Sequence, residues 1–198
     1  YITIEENKIK EFSQKKAKRE SIIQKISTYH DKYKKEFDII LEAKQNQNNL
    51  LVKLDILDKN NILLSESKSE TFKQTKTIAP IESYNVIKGF GKYYDDIYKK
   101  YFYSESVTLK SNQKNSKVFN ILNGKVFYIG TEEESNKNII IIQHSNNIYS
   151  IYANMDLLST DLKVNDRIRK GTIIGQVNDF LIFKSTKNRK YLNPQNLF

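Results

Sequence analysis

The N-terminal part of this chain contains no residue that commonly breaks a helix. All six Gly and both Pro residues of the 198-residue chain lie after Lys76. Before it, one register with a period of seven is occupied by Ile9, Phe12, Ile23, Ile26, His30, Tyr33, Phe37, Ile40, Leu51 and Leu54. The polar residues that interrupt this register are Lys16, Arg19, Lys44 and Gln47. The pattern predicts a coiled-coil seam on a long helix.

A helix with one apolar stripe is not stable alone, so this seam needs a partner. The helix either pairs with another chain or folds back on itself. For a fold-back, Gln45–Asn49 is a candidate turn and Asp58–Asn61 is a second candidate break. The returning helix would then use Leu50, Leu54, Leu57 and Leu64. We therefore predict a coiled coil or helical hairpin over residues 1–64 and a polar connector over residues 65–77.

From about Ile78 the apolar residues follow a period of two, which is typical of β-strands. Strands are predicted in VFNILNGKVFYIG, NIIIIQHS, NIYSIYANM, TIIGQV and DFLIFKS. Asn123-Gly124 has the residue types that a tight hairpin requires. Short strands separated by frequent turns indicate a compact, mostly antiparallel β domain over residues 78–198. The predicted fold class is α+β, with an N-terminal coiled-coil helix or helical hairpin before the β domain.

Composition excludes several classes of protein. The absence of Cys removes disulfides, thiolate catalysis and Cys-based zinc sites. No window has eighteen consecutive apolar residues, so no membrane span is predicted. The chain begins at Tyr1 in mid-pattern without a Met, so we expect a fragment or a mature form. The net charge of +10 reflects either free use of Lys or attraction to an anionic partner, and no nucleic-acid-binding motif accompanies it.

Three other features each have two interpretations. His30 lies on the seam, where packing in the coil is the expected role. The Tyr-rich segment Lys92–Ser106 is either a hairpin that packs its own aromatic rings or a surface that binds sugars or a protein. The C-terminal region is either a solvated basic face or an anionic contact, formed by Lys163, Arg167, Arg169, Lys170, Lys184, Lys187, Arg189 and Lys190.

Four motifs, in order from about Ile78 to Phe198, resemble the lysostaphin/LytM family of zinc peptidoglycan endopeptidases. They are GFG (Gly89–Gly91), VFNILNGKVFYIG, NIIIIQHSNNIYSIYANM, and LKVNDRIRKGTIIGQV followed by YLNP. The resemblance implies a small β domain with a groove. It also implies a zinc ion with three protein ligands and further His residues that act on the transition state.

The positions that the family uses for this chemistry carry other side chains. Five positions match the family's three zinc ligands and its two further His residues, and we call them the ligand-equivalent positions. They are Glu105 and Leu109 (His-x-x-x-Asp), Asn154 (Tyr-Ala-His), and Phe180 and Ile182 (His-x-His). His144 matches a family position that is not a metal ligand. Leu, Phe and Ile cannot bind zinc, and one carboxylate would not hold it with useful affinity. We therefore expect a domain that keeps the fold, binds no metal or other cofactor and is not an enzyme.

The same residues suggest either a binding groove or a filled core. In the first case Leu109, Phe180 and Ile182 form an apolar floor, with Glu105 and Asn154 at an exposed rim. Such a groove would bind a protein partner, or a segment of this chain would mask it until a partner opens it. In the second case the three apolar side chains fill the core.

The combination of a coiled coil with a degenerate LytM domain resembles EnvC-like factors. That resemblance implies a non-catalytic regulator or scaffold in cell division, in the periplasm or on the extracytoplasmic face of the bacterial envelope. Its expected partners are a cell-wall hydrolase (an amidase or an active endopeptidase) and a membrane protein that docks on the coil, which could also self-associate. One alternative is a peptidoglycan-binding module without catalysis. Another is an active enzyme with displaced ligands, although the chain has only two His residues.

Overall fold

The computed structural model describes residues 2–58, 76–96, 98–132 and 135–198, with side chains from Lys8 onward except that of Ile40. The chain forms two compact units, Tyr1–Gln47 and Asn48–Phe198. Leu64, the expected boundary after it and most of the expected connector lie outside the described residues. Among the described helices, none has both the length and the apolar composition needed to cross a membrane.

One helix, α1 (Ile2–Lys53), accounts for the N-terminal part of the chain. Its 52 residues correspond to a length of about 78 Å. The predicted turn at Gln45–Asn49 is wrong, because those residues are helical. The seam residues Ile9, Phe12 and Ile26 are 69%, 73% and 63% exposed. The apolar stripe of the N-terminal unit is therefore exposed to solvent in the single chain.

The helix ends in a Schellman motif, which redirects the chain. Asp55 occupies the left-handed region with φ 58°. The Ile56 N–H donates to the Leu51 carbonyl (2.9 Å) and the Asp55 N–H to the Val52 carbonyl (3.0 Å), the two bonds that define this motif. Immediately after the turn, Ile56 and Leu57 are fully buried.

Antiparallel strands form the rest of the described chain. They are β1 (Tyr84–Lys88), β2 (Gly91–Asp95), β3 (Lys100–Ser104), β4 (Ser106–Ser111), β5 (Ser116–Phe119), β6 (Gly124–Thr131), β7 (Asn138–His144), β8 (Ile148–Met155), β9 (Leu157–Leu158), β10 (Arg167–Ile168), β11 (Ile173–Val177), β12 (Phe180–Lys187) and β13 (Lys190–Leu192). A short 3-10 helix, Pro194–Asn196, follows. The described strand pairs are all antiparallel, which confirms the predicted α+β class.

The strands form one large sheet and two smaller ones. The main sheet has the order β1-β4-β12-β8-β7-β6-β10, with β13 paired to β12. The second sheet has the order β5-β11-β9, and β2 pairs with β3 in a separate ribbon. Ring pairs in this ribbon, such as Tyr93–Phe102 and Tyr94–Tyr101, show that the Tyr-rich segment is a hairpin whose aromatic rings contact one another. Tyr94 and Tyr101 also stay partly exposed, so a binding surface on this hairpin is still open.

Strand β7 shows that the main sheet is buried on both faces. Ile140 and Ile142 belong to one core cluster, which also contains residues of the second sheet such as Val118 and Ile174. Ile139 and Ile141 belong to a different cluster on the other face. The continuous apolar run of β7 correctly predicted a central strand, because both faces need apolar side chains.

The second face of the main sheet is covered by residues 48–57, which we call the covering segment. Its buried side chains Leu51, Ile56 and Leu57 share a cluster with Ile139, Ile141, Ile151, Ala153 and Tyr191. Apolar residues that the heptad register assigned to the coiled coil therefore pack on the sheet instead.

Polar contacts also hold the covering segment in place. The buried Tyr191 hydroxyl donates to Asn48 Oδ1 at 2.8 Å. At the β12–β13 turn, the Arg189 carbonyl accepts from the Asp58 N–H at 3.0 Å. The Arg189 side chain also forms a 2.6 Å ion pair with Asp55.

The predicted hairpin at Asn123-Gly124 is wrong. β5 pairs with β11 in the second sheet, whereas β6 pairs with β7 and β10 in the main sheet. The residues between them cross from one sheet to the other, and Ile121 is fully buried between the sheets. Burial of this side chain is incompatible with an exposed two-residue turn.

Asparagine occupies most of the left-handed positions in the loops. Positive φ angles are found at Asn115, Asn136, Asn146, Asn147, Asn154, Asn165 and Asn188. Asn tolerates this region better than other residues with a side chain, because its amide can bond locally. The chain therefore forms many tight turns with only six Gly residues.

We predict that Leu57→Ala destabilises the β unit by about 2–5 kcal/mol, because it removes a fully buried side chain from the covering segment. Leu157→Ala is the matched control, since Leu157 is 58% exposed and should cost less than about 1 kcal/mol. Urea unfolding of the whole chain, followed by tyrosine fluorescence, measures both. Similar small decreases in the free energy of unfolding of the two variants would show that the covering segment does not pack on the sheet.

Candidate functional site

The five ligand-equivalent positions lie on or beside three adjacent strands of the main sheet. Ile182 in β12 is opposite Thr108 of β4 on one side and Ala153 of β8 on the other. Phe180 begins β12, and Asn154 lies near the end of β8. The fold therefore brings the positions into one region.

Leu109 and Ile182 nevertheless face opposite sides of the sheet. Leu109 is opposite Leu181, and both are fully buried in the cluster between the two sheets. Ile182 is half-buried and packs with the covering segment on the other face. The expectation of a single groove floor is therefore wrong for Leu109, which fills the core.

Glu105 is buried rather than at an exposed rim. It is 4% exposed and directly precedes β4. Burial raises the pKa of the Tyr103 and Tyr191 phenols, and the nearby negative charge of Glu105 raises it further. The Glu105 carboxylate therefore belongs to the interior of the domain, on the side of Tyr191.

Lys184 is a second buried charge that sequence reasoning placed on a basic face. It is 3% exposed and lies opposite Ser106, the residue after Glu105. A buried cation and a buried carboxylate at neighbouring positions can each reduce the desolvation cost of the other. The signal that could have revealed this is the position of Lys184 in strand alternation, in register with the inward-facing Ile182.

Asn154 has a structural role at the strand end. Its backbone is left-handed, with φ 64°. Its side-chain amide donates to the Phe180 carbonyl at 2.7 Å, so it joins β8 to the first residue of β12. The half-buried Asn154 is the one polar ligand-equivalent residue that reaches the surface.

These residues do not fit a zinc ion. Leu109, Phe180 and Ile182 have no donor atom, and a single carboxylate and an amide remain. Zinc sites in proteins take at least three nitrogen, sulfur or oxygen ligands. In the described part of the chain, no group of three His, Cys, Asp or Glu side chains is placed to hold a metal.

His144 is buried and bonded through both ring nitrogens. Nδ1 lies 3.0 Å from the Asn123 carbonyl and Nε2 lies 2.9 Å from Ser150 Oγ. The carbonyl can only accept, so Nδ1 carries the proton and Nε2 accepts from Ser150. Burial lowers the pKa of His144 to about 4, against the smaller opposing effect of the Asn123 bond. His144 is therefore a hydrogen-bonding group at the end of β7.

Comparison with known proteins gives one family match, within the β half of the chain. The model of peptidase family M23 matches residues 103–194, a range that contains all five ligand-equivalent positions. None of the curated proteins matches the sequence.

Solved structures are similar at low sequence identity. Helicobacter pylori Csd3 has a TM-score of 0.54 at 20% identity, over 62% of this chain and 34% of that chain. The SpoIIQ–SpoIIIAH pore forming complex contains a chain with a TM-score of 0.51 at 17% identity, over 62% of this chain and 90% of that one. Our chain therefore spans about a third of Csd3, 34% of its length. The β half has the M23 fold, which confirms its resemblance to the lysostaphin/LytM family.

We predict that the stability of the protein falls between pH 6.5 and pH 4 because of His144. The unfolded state takes up a proton on this ring below its ordinary pKa near 6.5, whereas the folded state does so only near 4. Stability from this group is therefore complete above pH 6.5 and is lost as the pH falls, by roughly 3 kcal/mol in total.

His144→Gln should remove this part of the pH dependence, while His30→Gln, whose side chain is 77% exposed, should keep it. Urea unfolding at a series of pH values measures the slopes. If the free energy of unfolding changed with pH equally in the wild type and in His144→Gln, His144 would not be the source of this pH dependence.

Proposed function

We propose that this chain is a non-catalytic protein of the bacterial envelope that regulates or scaffolds a separate cell-wall hydrolase. The observation that carries the proposal is the side-chain chemistry at the five ligand-equivalent positions. In a domain with the M23 fold, these positions hold packing residues and buried or bonded polar groups. Peptide hydrolysis by a zinc enzyme needs an open coordination site for the attacking water, and these side chains provide none.

A regulatory role also fits the burial of the sheet face that carries Ala153 and Ile182. The covering segment packs Leu51, Ile56 and Leu57 on that face. Residues 48–53 of the covering segment are the last residues of α1. A partner that binds this end of the helix and shifts it would therefore also shift the covering segment. We propose that a partner displaces this segment to reach the apolar face.

The exposed seam of the N-terminal unit is the proposed docking surface for a membrane protein or for a second copy of this chain. Ile9, Phe12, Ile23 and Ile26 are each more than half exposed, at 69%, 73%, 57% and 63%. Their heptad spacing suits another helix, because knobs-into-holes packing requires the same repeat. The SpoIIQ–SpoIIIAH complex supports association with protein partners for a domain of this fold.

The alternative is a peptidoglycan-binding module, which the β2–β3 ribbon favours. Tyr94 and Tyr101 are 45% and 65% exposed, and their rings lie 5.1 Å apart. Exposed aromatic rings of this kind can stack on sugar rings. This reading places the binding surface on the ribbon and not on the apolar face of the main sheet.

We predict that the purified protein binds no zinc and cuts no peptidoglycan. Protein prepared with zinc present and then dialysed should contain far less than one metal ion per chain by elemental analysis. Dye-labelled sacculi should release no fragments in its presence, with or without a chelator. A stoichiometric metal that resists dialysis, together with hydrolysis that is lost on its removal, would falsify the proposal.

We further predict that the full chain raises the rate of a partner hydrolase on labelled sacculi by at least about tenfold, which corresponds to 1.4 kcal/mol. The hydrolase is first identified by mass spectrometry of proteins bound from an envelope extract and is then purified for the assay. The double variant Tyr94→Ala/Tyr101→Ala serves as the control and should stimulate equally well. Unchanged hydrolase activity, combined with direct sedimentation of the chain with sacculi that this variant abolishes, would instead establish the alternative.

A further inference from the structure

A cavity of about 800 Å³ opens at the β10 edge of the main sheet. In the sheet order, β8, β7 and β6 lie between β12 and β10. The cavity shares no residue with the five ligand-equivalent positions. Cavities of a few hundred to a thousand cubic ångströms are the size of small-molecule sites. The role proposed above for the chain makes no use of it.

Three cations line this cavity at fixed positions. Arg167 and Lys125 are directly opposite each other across the β10–β6 pair, and Arg169 lies two residues further along the chain. All three are exposed, and none forms an ion pair with a carboxylate among the described residues. Like charges directly opposite across a strand pair repel each other, so an anion placed between them would relieve the repulsion.

One carboxylate lies beside this group but outside the cavity lining. Asp166 precedes Arg167, and its Oδ2 accepts from the Lys163 N–H at 2.8 Å. Its single negative charge leaves the three cations with a net positive charge. No Asp or Glu is found among the described residues that line the cavity.

Hydrogen bonds fix the backbone that carries these cations. The buried Asn120 amide donates to the Arg169 carbonyl at 3.0 Å, and the Lys170 N–H donates to Asn123 Oδ1 at 2.8 Å. At Gly124 the strands β6 and β7 approach so closely that a Cβ would lie 2.5 Å from the Gln143 carbonyl oxygen. A backbone held in this way fixes the points from which the three cationic side chains extend, so only side-chain freedom is lost when a ligand binds.

The remainder of the cavity wall carries no charged side chain and is part polar, part apolar, with Ile168 and Gly124 among its residues. Asn123, Gln143 and Ser145 contribute amide and hydroxyl groups. Both ring nitrogens of His144 already have protein partners, so this ring is part of the wall and does not bind a ligand. Groups of this kind suit the hydroxyls of a sugar.

We propose that this cavity binds a phosphorylated sugar. Lys125, Arg167 and Arg169 hold the phosphate. Asn123 Oδ1 and Gln143 Nε2 already bond the Lys170 N–H and the Tyr149 hydroxyl, so the sugar hydroxyls meet Asn123 Nδ2, Gln143 Oε1 and the Ser145 hydroxyl. A phosphate monoester carries nearly two negative charges and matches three cations better than a carboxylate does. The guanidinium groups can bind its oxygens in the bidentate geometry that Arg favours.

Calorimetric titration of the full chain with N-acetylglucosamine 1-phosphate tests the proposal. Inorganic phosphate and unphosphorylated N-acetylglucosamine are titrated in parallel, and sedimentation with vesicles of anionic phospholipid tests a membrane source of phosphate. The site variant is Lys125→Gln/Arg167→Gln/Arg169→Gln. The control is Lys110→Gln/Lys114→Gln/Lys117→Gln, which removes the same charge from three exposed residues away from the cavity.

We expect saturable binding of the sugar phosphate to the wild-type chain. Its dissociation constant should rise at least about tenfold in the site variant. In the control variant it should change less than about threefold. Inorganic phosphate should bind more weakly than the sugar phosphate, and the unphosphorylated sugar should not bind measurably. Equal weakening in both variants would mean that net charge alone attracts the anion and would overturn the proposal. Equal affinity for inorganic phosphate, or binding to vesicles only, would overturn it as well. These measurements involve no hydrolase, so they are independent of the regulatory function proposed above.

Discussion

Burial of strand β7 on both faces is the constraint around which the β domain is built. Ile140 and Ile142 point to one face, and Ile139 and Ile141 point to the other. Each of these side chains contributes about 1.5–3 kcal/mol only when it is fully removed from water. The second sheet covers one face, and the covering segment 48–57 covers the other. The segment that ends the long helix is therefore part of the β domain, which accounts for the position of the boundary between the two compact units at residues 47 and 48.

The same constraint governs the region where an M23 peptidase would hold its metal. A catalytic zinc site needs polar side chains and a hydrated opening, and both conflict with dense packing. Here Leu109 joins the core between the sheets, and Ile182 packs beside the covering segment. The two polar groups that remain have structural positions. The Asn154 amide donates to the Phe180 carbonyl, and Glu105 is buried in the interior of the domain. The region is closely packed and closed, which is consistent with the non-catalytic function proposed above.

Much of this fold could be predicted from the sequence, because local periodicity decided it. The long helix follows from the heptads and the lack of Gly and Pro, and β7, β8 and β12 follow from their apolar runs. The covering segment could not be predicted, because Leu51 continues the heptad register whether it packs on a helix or on a sheet. The failure of the Asn123-Gly124 hairpin depends on long-range contacts that no local pattern reports, whereas the inward orientation of Lys184 follows from strand alternation with Ile182. For the candidate site, residue chemistry predicted the poor fit to zinc, but the opposite orientations of Leu109 and Ile182 required the strand register.

The asparagines in left-handed conformations have a consequence for the unfolded chain. Asn147 and Asn165, with φ 54° and 81°, occupy a backbone region in which Gly alone has no steric penalty. A Gly at such a turn samples many more backbone conformations when the protein is unfolded, and all of them are lost on folding. Asn has a small steric penalty in the native turn, but it samples fewer backbone conformations than Gly in the unfolded chain. The loops of this domain are thus partly preordered by residue choice, and folding loses less chain entropy at each of these turns than it would with a Gly at the same position.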